Sequence, residues 1–450
     1  MPVTLNTTSL FDGSGFDVQS MVTQVLDSQR GPETEWKSQQ TTLQSQSTAL
    51  NQIETQIASL YTDSNNLRDF TGVLGSKTAS SSQPGVVLAT ATSAAATSNH
   101  VLQVQCLATT GAAYSNPIAS DTTLNPGTLQ ITVGSNTQNI DVGTSNTSLA
   151  AIATAINKLN MGVTAKVQTD STGSRLTMVS NVSGTAGAVS VQSDTSQLSF
   201  TNLVGKDALV NVDGVPYQSS TNTISGAISG VTLNLTSASP NTDIALNVTP
   251  DVSSVASALT TFVTDYNAVV TSINSQFSYN AATNTAGVLS GDTSLQMVQS
   301  SLLALTSFSM TGNGSIDSLR SMGIQMQDDG TLTIDSNTLN TALTSNFVDL
   351  ANFFQGTGSF GQMLGTTMTS LNDPINGAVA LDLNSVHQTN QDLTNQINDF
   401  ENRLLAQQQT LINQYSQINA ELQSLPSLQN QVSTELNSLD PYSITSSSKS

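Results

Sequence analysis

The sequence predicts an α+β multidomain protein: a helical, coiled-coil-like leg formed by both chain ends, with β-rich head domains inserted between them. Three observations predict it. Glutamate, which favours helix and avoids strand, occurs only at Glu33, Glu35, Glu54, Glu401, Glu421 and Glu435, so it marks both ends and spares the centre. Apolar residues recur every seven positions near each end. Between them the pattern changes to short alternating runs separated by Gly, Asn, Ser and Pro.

Residues 1–16 are expected to form a flexible N-terminal segment. The Gly13-Ser14-Gly15 stretch invites a phosphate-loop reading, but no strand precedes it, no third glycine is in register and no lysine is near. Asp17 instead reads as the N-cap of a short helix ended by Gly31-Pro32. Its stripe of Val18, Met21, Val22, Val25 and Leu26, with Phe16 in front, is small. The segment from Phe16 to Leu26 is therefore expected to pack only in an assembly.

The leg's N-terminal helices are placed at 17–75. Trp36, Leu43, Leu50 and Ile57 occupy one heptad position, and Ile53, Leu60 and Leu67 the partner position. Gln39 and Gln46 stand in the early partner positions and weaken the seam. The C-terminal portion of the leg is placed at 252–437. There Leu383, Ile397, Leu404, Leu411, Ile418 and Leu425 share one position, and Val386, Leu393 and Phe400 the other. Each seam needs a mate, which suggests that the two ends pair. Two amphipathic helices packed on a globular core would show the same spacing.

The β-rich centre divides into the first segment of a head domain (76–109), an inserted outer β-rich head domain (110–204) and the second segment of the first head (205–251). VLQVQCLA, LQITVG, RLTMVS and VTLNLTS read as strands, and TSLAAIATAINKLN as a helix capped by Thr147. Asp213-Gly214 and Pro126-Gly127 supply turns. A helix returns near Val252, and a hairpin at Asp328-Asp329-Gly330 leads to a helix capped by Asp335. The tail, 438–450, is expected to be disordered.

Composition narrows the chemistry. Eleven Lys and Arg against a net charge of −20 exclude nucleic-acid binding, which needs clustered cations. No run of about 18 apolar residues predicts a membrane span. The first residues lack the features of a cleaved secretory signal, so the chain is expected to be cytoplasmic or to leave uncleaved. A single cysteine, Cys106, cannot form an internal disulfide and reads as a small buried hydrophobe. His100 and His387 lie far apart, and the Asp328 turn lacks the acidic spacing of an EF-hand. No cofactor, metal or catalytic constellation is expected, and the protein reads as a non-enzyme.

Three stretches carry a family resemblance: GSGFDVQSMVTQV with the Gln-rich heptads after it; SLAAIATAINKLNMGVTAKV with GSRLTMVSNVSG; and SLRSMGIQMQDDGTLTIDSNTLNTALTSNFVDLANFFQG. Together they resemble the flagellar filament-capping proteins, the hook-associated protein 2 family. The middle stretch is similar to the IN motif of flagellins and hook-associated proteins. Phe16 stands where that family more usually has Leu.

The resemblance implies export without cleavage through the flagellar channel and a place at the filament's distal tip. It implies a homo-oligomeric ring, of about five copies within a range of four to six, that promotes flagellin folding and insertion. Flagellin, hook-associated junction proteins and an export chaperone are the implied partners. The leg seams and the N-terminal helix would be the interaction surfaces. The alternative is an extracellular adhesin whose heads bind host glycan or mucin.

Overall fold

The computed structural model describes residues 17–281 and 285–439. The expected flexible segment 1–16, Phe16 included, and residues 440–450 lie outside the described residues. Two helices open the chain, α1 (Val18–Asp27) and α2 (Gly31–Arg68). Asp17 Oδ1 accepts from the amides of Gln19 and Ser20 at 3.0 and 3.1 Å, which satisfies two donors of the first turn of α1. Gly31-Pro32 does not end that helix, which stops at Asp27 with Ser28 as its C-cap. Pro32 sits in the first turn of α2, where its missing N–H costs nothing, so the pair opens the next helix.

After the β-rich centre come α4 (Val252–Phe277), α5 (Thr293–Thr306), α6 (Ser336–Ser345), α7 (Phe347–Gln355), α8 (Phe360–Leu371) and the long α9 (Ala378–Leu439). Asp251, Asp292 and Asp335 cap α4, α5 and α6. One apolar core joins them. Leu50, Ile53, Ile57, Leu60 and Leu67 of α2 meet the buried faces of α4 and α8 and the start of α9 at Val379 and Leu383. Phe353 stacks on Phe360 with ring centroids 5.1 Å apart, closing the α7–α8 corner. At about 1.5–3 kcal/mol per buried large apolar side chain, this cluster dominates the stability of the helical region.

Two β units lie between α2 and α4. In the first, a five-stranded antiparallel sheet runs β1 (Lys77–Ser81), β15 (Ser239–Pro250), β3 (Ser98–Cys106), β11 (Ala208–Val212), β12 (Val215–Ser219). It shares one core with a three-stranded sheet of β13 (Thr223–Ile228), β14 (Val231–Leu235) and β2 (Val87–Ala91). The β11–β12 turn is Asp213-Gly214, both at positive φ, as a tight hairpin demands. Cys106 is half-buried, not fully buried as expected, because it ends β3 at the sheet margin; its Sγ lies 3.5 Å from the Asp207 carbonyl.

The second unit packs α3 (Leu149–Lys158) between a four-stranded and a three-stranded sheet. The first is ordered β10 (Phe200–Leu203), β4 (Thr110–Ser115), β8 (Gly173–Ser183), β7 (Val163–Asp170). The other is ordered β6 (Asn136–Val142), β5 (Gly127–Val133), β9 (Val189–Ser193). Ser148, not Thr147, caps α3: its Oγ accepts from the Ala151 amide at 3.2 Å. Thr147 is engaged elsewhere, its carbonyl accepting from the Leu124 amide. The chain enters and leaves this unit side by side, Thr109 N–H donating to the Lys206 carbonyl at 2.9 Å.

A hairpin of β18 (Ile324–Met326) and β19 (Leu332–Ile334) turns at Asp328-Asp329-Gly330, with Asp329 Oδ1 accepting from Thr331 N at 3.0 Å. Tyr279–Asn280 and Thr285–Ala286 form the short strands β16 and β17.

Candidate interaction site on the paired terminal helices

Helix α2 runs antiparallel to α9, and the contacts can be followed rung by rung. Arg30 meets Glu401, Trp36 meets Phe400 edge-on at 5.5 Å, and Gln40 donates to Thr394 Oγ1 at 2.8 Å. Ser47 lies 3.5 Å from His387 Nε2. The two ends therefore pair with each other, and α2 also crosses the globular core. Both arrangements left open by the heptad spacing are realised, on successive stretches of one helix.

That division corrects the expected seam. Trp36 and Leu43 are half-buried and belong to the two-helix stretch, whereas Leu50, Ile53, Ile57, Leu60 and Leu67 are buried in the multi-helix core. The polar positions shift as well. Gln39 is exposed, and Gln46 reaches sideways to the Val288 carbonyl at 3.0 Å. Gln40 and Ser47 occupy the seam instead, because the buried face follows steps of three and four from Glu33 through Trp36, Gln40, Leu43 and Ser47 to Leu50. A cleft of about 330 Å³ beside them is lined by Leu43, Gln44, Val386, His387 and Asn390.

On α9, Leu393 and Leu404 are buried, and Ile397, Phe400 and Leu411 are half-buried. Ile418 and Leu425 are exposed by 46% and 54%, because the described stretch of α1 and α2 ends level with Tyr415. Helix α1 supplies the last cover. Val22 and Leu26 are buried against Leu404, with Val18, Phe400, Leu411, Ile412 and Tyr415 around them. Met21 and Val25 are half-buried on the same helix. The expectation that this helix packs only in an assembly is corrected: the chain's own α9 receives it.

A charge cluster sets the corner between α1 and α2. Arg30 Nη1 contacts Glu33 Oε2 at 2.5 Å and Glu401 Oε1 at 2.8 Å, and Lys37 closes on Glu33 from the next turn. Glu33 is buried, and the Lys37 ammonium and then Arg30 hold its carboxyl below the usual range against the cost of burial. Sequence reasoning used Glu33 and Glu401 only as helix markers. The Arg30, Glu33, Lys37 spacing of three and four was a legible signal of an intrahelical cluster; its link to Glu401 was not.

One constellation elsewhere has the outline of a catalytic site. His100 Nδ1 lies 2.7 Å from Asp213 Oδ2, and its Nε2 lies 3.0 Å from Ser98 Oγ. The Ser98 hydroxyl, however, donates to the Ala96 carbonyl at 3.0 Å, and Asp213 Oδ1 accepts from the Val101 amide at 2.8 Å. These bonds fasten the β11–β12 turn to β3, and the hydroxyl is not poised to give its proton to the imidazole. Among the described residues no group of three or more His, Cys, Asp or Glu could hold a metal ion, and no helix is long and apolar enough to cross a membrane.

Two family descriptions match the chain in order: the N-terminus of flagellar hook-associated protein 2 over residues 14–111, and the C-terminus of the same protein over residues 205–427. The chain belongs to the flagellar hook-associated protein 2 family. The two matched regions of this family member hold α1 with α2 and most of α9, so the paired helices lie inside them.

Among family members, the B-type flagellar hook-associated protein 2 of Pseudomonas aeruginosa is 28% identical over 429 residues, covering 88% of this chain and 90% of the relative. The flagellar hook-associated protein 2 of Escherichia coli K12 is 25% identical, covering 93% and 96%. The crystal structure of the flagellar cap protein FliD D1-D2-D3 domains from Escherichia coli shares the fold, with a TM-score of 0.57 at 23% identity over 75% of this chain and 99% of that one. Its helical and β-rich regions are arranged as in this family member.

Proposed function

We propose that this protein caps the distal end of a bacterial flagellar filament, as a self-associating plate that promotes flagellin folding and insertion. One observation carries the reading: both halves of the family match in order, and the helices they contribute are the ones the structure pairs into a leg. Flagellin is the partner the leg would meet. A ring of about five copies, junction proteins below it and a chaperone before export are finer features of the same proposal. So are uncleaved export and the division into leg (17–75, 252–437), inner head (76–109, 205–251) and outer head (110–204). The adhesin alternative finds no support among the relatives.

No step of this function asks for bond chemistry. Insertion of a subunit needs legs that hold and release, and a helix pair with polar rungs at Gln40 and Ser47 binds less tightly than an all-apolar one. The test is complementation. In a motile bacterium lacking its own cap protein, the chain should restore long filaments and stop loss of unpolymerised flagellin to the medium. If the chain is exported and filaments stay absent, the reading is wrong.

A further inference from the structure

The outer β unit, the one built on α3, is a continuous insertion into the inner β unit, and the chain crosses between the two twice. The outward crossing runs from Cys106 at the end of β3 to Thr110 of β4, and the return from Leu203 of β10 to Ala208 of β11. Thr109 and Lys206 tie the crossings side by side. Besides the main-chain bond between them, the Lys206 amide donates to Thr109 Oγ1 at 3.1 Å. Two adjacent crossings by themselves make a hinge, about which an inserted unit can swing.

A third contact spans the same joint. Where β8 ends, residues 183–185 of the outer unit reach β12, the edge strand of the inner unit's larger sheet. The Gly184 amide donates to the Thr109 carbonyl at 3.0 Å, and Ser183 Oγ donates at 2.7 Å to the carbonyl of Ser220, just past β12. The Asp207 carboxylate joins these parts. Its Oδ1 accepts from the Thr185 amide at 2.6 Å, and both its oxygens lie 3.1 Å from the Thr185 hydroxyl. Its Oδ2 accepts from Gln218 Nε2 of β12 at 2.9 Å. One side chain on the return crossing thus holds the outer unit's corner to the inner unit's edge through charge-assisted bonds. These donors, the Thr185 amide first, keep its carboxyl below the usual range.

The backbone around the carboxylate is equally close. Gly184 has φ +82°, and a Cβ there would stand 2.5 Å from Asp207 Oδ1. A Cβ on Gly205 would stand 2.6 Å from the Gly184 carbonyl oxygen and 2.8 Å from that of Thr109. The corner and both crossings therefore meet main chain to main chain, an approach that glycine permits. Residues 183–185 fall between the two family matches, so those matches assign them no role.

We propose that the Asp207 carboxylate is a latch that holds the outer β unit at one angle to the inner β unit, so that the two move as one body, and that its release opens a hinge at the two crossings. The inference concerns motion within one chain and does not depend on the cap reading.

The test measures the angle as a distance. Full-length chain carrying Cys106→Ser, which keeps a donor beside the Asp207 carbonyl, receives spin labels at Ser171→Cys of the outer unit and Ala238→Cys of the inner unit, both exposed. Pulsed electron resonance is recorded with an excess of unlabelled chain, so that only distances within one molecule are read. The latched protein should give one narrow distance distribution. Asp207→Ala in the same background should at least about double its width with unchanged circular dichroism. The Thr185 amide should then exchange its hydrogen at least about tenfold faster. Thr185→Val with Gln218→Ala keeps the carboxylate and removes two of its donors, and should give an intermediate width. This double variant decides alone if Asp207→Ala misfolds.

A broad distribution in the latched protein overturns the proposal. So do variants as narrow as the latched protein, above all with a faster Thr185 amide, since the crossings would then fix the angle without the carboxylate.

Discussion

At the scale of single residues, two carboxyls respond to pH in opposite directions. Asp63 on α2 lies against the carboxyl of Asp265 on α4, and its Oδ2 is shielded from solvent. Burial, then the neighbouring carboxylate, raises its pKa from 3.8 to about 6. The folded state binds this proton more tightly, so the site is most stabilising at low pH and loses stability as pH rises through about 6. Asp63→Asn should raise the melting temperature at pH 8 by removing a penalty on the order of 1–3 kcal/mol, less where solvent screens the pair, and should flatten the melting profile between about pH 4 and pH 7. An unchanged profile would show that the pair does not titrate there. Glu33 has the reverse sign: its depressed pKa supplies stability at neutral pH that is lost as acid protonates it. Packing sets a second residue-level limit. A Cβ on Gly361 would stand 1.8 Å from the Phe354 carbonyl oxygen, a backbone atom that cannot move aside. Gly361→Ala should therefore cost about 2–3 kcal/mol in denaturant unfolding.

At the scale of elements, the leg is a graded structure. Helix α2 is locked into the multi-helix core over Leu50–Leu67, held by polar rungs at Gln40 and Ser47, and tied at its start by the Arg30 cluster. Helix α1 adds only Val22 and Leu26 as buried residues. Hydrogen exchange should follow this order, fastest in α1 and slowest in α2 beyond Leu50. Arg30→Ala should speed exchange in α1 and leave Leu50–Leu67 unchanged, since it frees only the corner. Gln40→Leu with Ser47→Leu should tighten the pair and raise the melting temperature by several degrees. If release matters to insertion, the same double variant should grow shorter filaments; normal filaments from a measurably stiffer leg would sink that idea. The C-terminal stretch of α9, with Ile418 and Leu425 exposed, shows how far heptad reading reaches. Spacing identified a seam-forming face, and among the described residues α1 and α2 cover it only as far as Tyr415.

At the scale of the whole molecule, the helical region, the inner β unit and the outer β unit have separate apolar cores. The outer unit joins the rest through strand ends brought together at Thr109 and Lys206. Replacing residues 110–205 by a short Gly-Ser turn should therefore leave a folded protein whose helical melting transition moves by less than about 5 °C. Collapse of the helical transition would mean that the outer unit supports the leg.

The sequence by itself determined the order helix, β, helix, the caps at Asp17 and Asp335, the tight turn at Asp213-Gly214 and the family. The order, caps and turn rest on local rules: heptad and alternating periods, side chains that bond nearby amides, and residues that accept positive φ; the family rests on the resemblance of three stretches of sequence. Only the tertiary structure decided that Gln40 and Ser47, and not Gln39 and Gln46, face α9, and that Arg30 reaches Glu401 across the chain. It also decided that α1 folds onto the chain's own α9, and that Leu203, Ala112 and Val179 form one row. A heptad names a helical stripe only to within a residue, and strand alternation names a face without naming its neighbours. Which surfaces meet depends on contacts between residues far apart in the chain, and those exist only in the folded chain.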